Sequence, residues 1–144
     1  MPIKPENRGR YPANWSEIRE RILRRAMHCC EQCDAPNGEI IVRGKGKDAG
    51  TYMNNEAKVF DAETGEYLGK WRMSDYECNG DGVKIVLTIA HLDHIPEHCD
   101  DSNLKALCQR CHLAYDAEHH RINAQATRRA RKAVGDLFDG LIQA

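Results

Sequence analysis

An α+β fold is predicted by three features of the chain: helical spacing at both ends, β-branched strand patterns in the middle, and two C-x-x-C pairs far apart in sequence. Residues 1–14, with Pro2, Pro5, Pro12 and Gly9, read as an irregular basic arm. Asn14 stands where it can cap a helix, and Glu17 three residues on can return the bond. Trp15, Ile18, Ile22 and Ala26 then recur at helical spacing, which predicts a helix over 15–27 with an arginine-rich last turn. This helix leads into Cys29-Cys30-Glu31-Gln32-Cys33, so 15–33 is a helix with a first cysteine knuckle.

Residues 34–82 read as a β-rich insertion. Asn37-Gly38 is a turn signal, 39–43 a strand, 44–50 a glycine-rich loop, and 58–71 a hairpin turning near Thr64-Gly65. The block carries no evident chemistry of its own. Val83 to Ala90 predicts one buried strand that runs into His91-Leu92-Asp93-His94. A polar loop follows, then a short second strand over 103–107 and a helix from Cys108 to about residue 132. Residues 83–132 thus form a core with a second knuckle and a basic helix. Gly135 is expected to interrupt the helix, leaving 133–144 as a tail with an apolar end at Leu137, Phe138, Leu141 and Ile142.

The composition, 41% hydrophobic and 30% charged over 144 residues, is that of a globular domain. No stretch approaches the roughly 20 apolar residues of a spanning helix, and the first residues lack the apolar core of a secretory signal. Membrane insertion and export are not expected; a cytoplasmic protein is. The net charge is −1 but unevenly spread. Residues 1–26 hold seven bases against three acids, residues 121–132 hold five bases and no acid, and residues 34–82 hold six bases against ten acids. Two basic ends can bind a polyanion, or can simply be solvated helix faces.

Seven cysteines, an odd number, with no secretory signal argue against a disulfide framework. Cys30-x-x-Cys33 and Cys108-x-x-Cys111 can bring four thiolates to one tetrahedral Zn²⁺, because a two-residue gap lets both sulfurs of a pair reach one ion. Cys29 reaches Cys33 only across a wider gap, which favours Cys30. The alternatives are four thiols packed as small hydrophobes, or a redox pair.

The run Ala90-His-Leu-Asp-His94, followed by Asn103-Leu-Lys-Ala-Leu-Cys-Gln-Arg-Cys-His112, resembles the HNH endonuclease family in its zinc-stapled form common in phages and prophages. The likeness covers about 25–33 and 83–120. It implies a ββα-metal (His-Me finger) core, stapled by the four-cysteine zinc site and flanked by helices and the small β insertion. It further implies a divalent-metal-dependent DNA endonuclease with a one-metal, histidine-general-base mechanism. By the same likeness, Asn103 orders the loop that aims the base, and His112 is a metal ligand on the helix. Asp116, one helical turn beyond His112, can face the same way and share the ion. Two assignments of the base stay open. His94, preceded by Asp93, matches one version of the motif; His91, twelve residues before Asn103, matches another and leaves Asp93 and His94 as supporting ligands. A histidine can take a proton from water near neutral pH, and Mg²⁺, Mn²⁺ or a similar cation can relieve charge on the phosphate.

The partner implied is DNA, in duplex form, with phage DNA-processing proteins as further candidates in a bacterial host cell. Arg121, Arg128, Arg129, Arg131 and Lys132 are the candidate phosphate contacts; five such contacts would give a salt slope of roughly −4 to −5. A non-catalytic zinc-dependent DNA-binding accessory protein, or a nuclease acting on branched DNA or RNA, are the alternatives. Trp15 and Trp71 read as core or platform residues, His119 and His120 as solvated with His120 a secondary candidate ligand, and His28 and His98 are left without a role.

Overall fold

The structure, a computed structural model, describes the backbone of residues 4–142 and the side chains of residues 4–137. It is a mixed α+β chain that divides into two compact units, residues 1–112 and 113–144.

In the first unit the arm is more ordered than expected, because Pro5–Arg10 forms a 3-10 helix. Helix α1 (Trp15–Arg25) buries Ile18, Ile22 and Leu23. The expected capping box is not formed: the Asn14 carbonyl, not its side chain, accepts from Glu17 N (3.0 Å) and Ile18 N (3.1 Å). At the other end His28 N donates to Leu23 O (2.9 Å) and Met27 N to Arg24 O (3.0 Å), with Met27 and His28 both at φ 56°. That bond pattern is a Schellman stop, here made without glycine. It turns the chain sharply into the first knuckle.

The insertion is a five-stranded antiparallel sheet. Its strands are β1 (Ile40–Gly44), β2 (Thr51–Met53), β3 (Lys58–Asp61), β4 (Tyr67–Lys70) and β5 (Cys78–Lys84), in the order β4-β3-β2-β1-β5. The expected hairpin is β3–β4, with Lys58 opposite Lys70 and a bulge between Val59 and Phe60. Gly65 in its turn has φ +78°, and a Cβ there would stand 2.9 Å from the Cys33 carbonyl carbon. A side chain at this position would therefore push the hairpin off the first knuckle.

The expected single strand over 83–90 is in fact two strands in two sheets. β5 ends at Lys84 in the large sheet, and β6 (Thr88–His91) pairs with β7 (Leu104–Leu107) in a separate two-stranded sheet. Burial alternates through the link, with Ile85 and Leu87 buried and Val86 exposed, so the sequence pattern looks continuous. Its hydrogen bonds are not. Leu87 N donates to Asn37 Oδ1 (3.0 Å) and Val86 N to Gln109 Oε1 (3.2 Å), while Gln109 Nε2 donates to Lys84 O (2.8 Å). Backbone pairing with Gly38 and Glu39 stops at Ile85, and side-chain amides carry Val86 and Leu87 across the gap.

β6 and β7 are antiparallel with Thr88 opposite Leu107 and His91 opposite Leu104, and helix α2 (Gln109–Ile142) follows directly. One buried cluster joins α1, the cysteines, Ile41, Tyr52, Ile85, Leu87, Ala90 and the β7 leucines. The second unit is the remainder of α2. It runs through Gly135, contrary to the expected break: that glycine keeps helical backbone, and one glycine costs a helix only about 1 kcal/mol. The side chains of Phe138, Leu141 and Ile142, three of the expected apolar end, lie outside the described residues.

Candidate functional site

Cys30, Cys33, Cys108 and Cys111 are all buried, and their four sulfurs lie within 4.8 Å of one another. Cys33 Sγ and Cys108 Sγ are 3.6 Å apart. A tetrahedral ion with bonds of about 2.3 Å spaces its sulfurs by about 3.8 Å, so the donors fit zinc. Cys30 is the member of the first pair, as the two-residue gap predicted; Cys29 lies outside the cluster in an isolated bridge with Pro36.

Local backbone explains the gathering. Cys30 N donates to Ala35 O (2.9 Å) and Asp34 N to Cys30 O (2.9 Å), closing the first knuckle, with Asp34 at φ 65°. Both Cys33 N (3.5 Å) and Cys108 N (3.4 Å) point at Cys30 Sγ, an arrangement that favours a thiolate. The knuckles are tied to each other as well. Glu31 N donates to Ala106 O (2.8 Å), and Glu31 Oε1 accepts from Ala106 N (2.9 Å). Hydrogen bonding within the cluster divides the protons unequally: Cys111 pulls Cys108 well below the usual thiol range, and Cys108 pushes Cys33 and Cys111 above it. Four thiols this close cannot all ionise alone, and a divalent cation would let them.

The insertion, silent in sequence, buttresses this cluster. Tyr52 Oη donates to Cys33 O (2.7 Å), Gln32 Nε2 to Glu63 O (2.8 Å), and Arg110 Nη1 to Ala62 O (2.9 Å).

The second constellation surrounds the 92–103 loop. Asn103 is 7% exposed and acts as its clamp. Its Nδ2 donates to Asp93 Oδ1 (2.9 Å) and His98 O (2.8 Å), its Oδ1 accepts from Asp93 N (3.2 Å), and its carbonyl accepts from Leu92 N (2.8 Å). Asn103→Ala would remove the side-chain bonds that tie Asp93 and His98, both exposed, to the start of β7. Water can replace the bonds to these exposed partners, so we expect a loss of roughly 1–2 kcal/mol, at about 0.5–1.5 per hydrogen bond, read as a lower urea midpoint with unchanged zinc content.

His91, 8% exposed, closes β6. It stacks on Trp15 (centroids 5.3 Å apart, 19° between planes), meets the edge of Tyr11 at 5.7 Å, and has Cys99 Sγ 3.6 Å from Nε2. Burial pushes its pKa down, so the neutral, proton-accepting form is favoured. His94 lies three residues on at φ 60°, its N donating to His91 O (3.0 Å). His112 opens the first turn of α2, its Nδ1 2.6 Å from Thr88 Oγ1 on β6.

Asp93 is already engaged. Besides Asn103, Oδ1 accepts from Ile95 N (2.9 Å), and Oδ2 lies 2.5 Å from His98 Nδ1. His98, chiefly, holds the Asp93 carboxyl far below its usual range. His98 also reaches Asp100 Oδ2 through Nε2 (3.0 Å), and both carboxylates push its pKa up. Among the described residues only the four cysteines form a group of three or more metal-type ligand atoms within 4.8 Å. Asp93 and His112 are not brought together in that way, and Asp116 lies in the second unit.

Sequence reasoning missed Tyr11 and Trp15 as neighbours of His91, and His98 as part of the loop clamp. It also missed what the N-terminal arginines do. Arg10 pairs with Glu97 (2.6 Å) and Arg21 with Asp101 (2.7 Å). Arg25 donates to the carbonyls of Asp101 (2.8 Å) and Leu104 (2.7 Å). Much of that charge holds the 92–103 loop.

In the second unit Arg121, Arg128, Arg129, Arg131 and Lys132 are all exposed. At 3.6 residues per turn Arg121, Arg128 and Lys132 fall within about 40° of one another, with Arg129 and Arg131 to either side. Arg121 is paired with Glu118. No family model, curated protein or solved structure matches the chain.

Proposed function

We propose that the protein is a divalent-metal-dependent DNA endonuclease built on a ββα-metal core, with zinc on its four cysteines. The observation that carries this reading is the placement of three side chains on one hairpin and its following helix. His91 ends β6, buried Asn103 immediately precedes β7 and clamps the loop between the strands, and His112 sits in the first turn of α2 pinned by Thr88. In that arrangement His91 takes the proton of the attacking water and Asn103 fixes the loop; the exposed bases of the second unit are separate candidate phosphate contacts. The catalytic cation, when bound, would relieve charge on the phosphate and the leaving oxygen. In the first unit His112 and Asp93 are the candidate ligands, although among the described residues they belong to no group of three or more metal-type ligand atoms.

Supercoiled plasmid incubated with zinc-loaded protein is expected to be nicked or linearised when Mg²⁺ or Mn²⁺ is added, and to stay intact without it. Intact plasmid under every divalent metal would contradict the reading. Comparing linear, nicked, branched and RNA substrates identifies the preferred one.

A second reading has its own support. The Asp93 carboxylate is occupied by His98, Asn103 and Ile95, and His91 lies almost buried beneath Trp15 and Tyr11. Both fit a zinc-dependent DNA-binding protein without turnover, a reading selected by tight binding with no cleavage.

A further inference from the structure

Tyr11 and Trp15, which cover His91, also line a cavity of about 550 Å³ that has His112 and Thr88 in its wall. That volume lies in the range of binding sites for small organic ligands. Two cations, Lys4 and Arg19, stand at the same cavity. Their situation differs from that of four other N-terminal bases. Arg10, Arg21, Arg24 and Arg25 are spent in ion pairs with Glu97, Asp101, Glu20 and Glu31, whereas Lys4 and Arg19 make no ion pair among the described residues. The floor is partly apolar, through Val86, Leu87 and Ile89.

We propose that this cavity binds the backbone of a DNA strand: Lys4 and Arg19 hold successive phosphates, and the rings of Tyr11 and Trp15 take the face of a sugar or base. Unpaired cations beside an aromatic wall are the combination that holds a nucleic-acid strand without choosing sequence. The geometry also ties occupancy to the histidines. Trp15 stacks on His91 and shares the cavity wall with His112, so a strand held here lies against the edge of the β6–α2 site. The proposal takes its ligand from the nucleic-acid reading above but requires no catalysis.

The test uses the full-length, zinc-loaded chain with no added Mg²⁺ or Mn²⁺ and a fluorescein-labelled 20-base-pair duplex. Anisotropy titrations across a salt series compare the wild type with Lys4→Gln/Arg19→Gln. Both residues are exposed, and an unchanged thermal midpoint confirms the fold of the variant. Binding is expected to weaken roughly tenfold, with the salt slope shallower by about 2, close to one for each lost phosphate contact. A second readout follows Trp15 fluorescence in a Trp71→Phe background. Unlabelled duplex should change the emission, and the Lys4→Gln/Arg19→Gln pair should abolish that change.

If the wild type binds and cleaves DNA while the double variant matches it in affinity, slope and Trp15 response, the cavity proposal is overturned and the endonuclease reading stands. If binding and the Trp15 response depend on Lys4 and Arg19 but no metal yields cleavage, the cavity proposal is supported and the endonuclease reading falls. Failure of the wild type to bind duplex even at low salt overturns the cavity proposal.

Discussion

Cys33→Ser or Cys108→Ser is expected to leave the first unit unfolded and without zinc. The four sulfurs occupy the centre of the buried cluster, where α1, the β6–β7 hairpin, the start of α2 and the insertion meet. Structural zinc contributes about 10–16 kcal/mol of apparent binding energy at neutral pH, whereas a whole domain is stable by only about 5–15 kcal/mol. Serine is only slightly smaller but offers no thiolate, so the loss falls mainly on coordination. Circular dichroism should show loss of strand signal, and zinc should fall below one equivalent after dialysis. Cys29→Ser, outside the cluster, should retain both fold and metal. A Cys33→Ser protein that kept its zinc and melted like the wild type would remove the cysteines as the staple.

The second large effect concerns the two histidines left open by the sequence. His91→Ala is expected to lower plasmid cleavage by about 10²–10⁴, the usual contribution of a general base, with His94→Ala costing less than tenfold. The proposed role rests on the position of His91 at the end of β6, next to the loop that Asn103 clamps, and on burial that lowers its pKa and so favours the neutral imidazole. His94 has left-handed backbone in the loop. Since His91 also packs against Trp15, His91→Asn is the companion variant: it fills part of the site, and its melting point shows whether the lost rate is chemical or structural. Equal losses from both histidines, or loss from His94→Ala alone, would move the base assignment.

The helix ahead of the first knuckle, the β3–β4 hairpin and the two cysteine pairs were legible because each rests on a local signal, whereas the pairing of β6 with β7 was expected only from the family resemblance. Helical spacing, a Thr-Gly turn, β-branched runs and the two-residue cysteine gap need no knowledge of the rest of the chain. The switch between β5 and β6 was not legible. Ile85, Val86 and Leu87 keep strand alternation, and the change of sheet is made by the distant amides of Asn37 and Gln109. The N-terminal arginines looked like one basic patch because Glu97 and Asp101, their partners, are about 80 residues away. His98 had no readable role for a related reason: Asp93 and Asp100 surround it only after Asn103 folds the loop. The part played by 34–82 was hidden because its bonds to the knuckles run through backbone carbonyls, which any sequence supplies.

Everything placed around the histidines depends on the two cysteine pairs meeting at one ion, and X-ray absorption at the zinc edge tests that directly. One zinc per chain is expected, with four sulfur neighbours at about 2.3 Å. A first shell containing nitrogen or oxygen in place of sulfur, or a purified folded protein carrying no zinc, would contradict it.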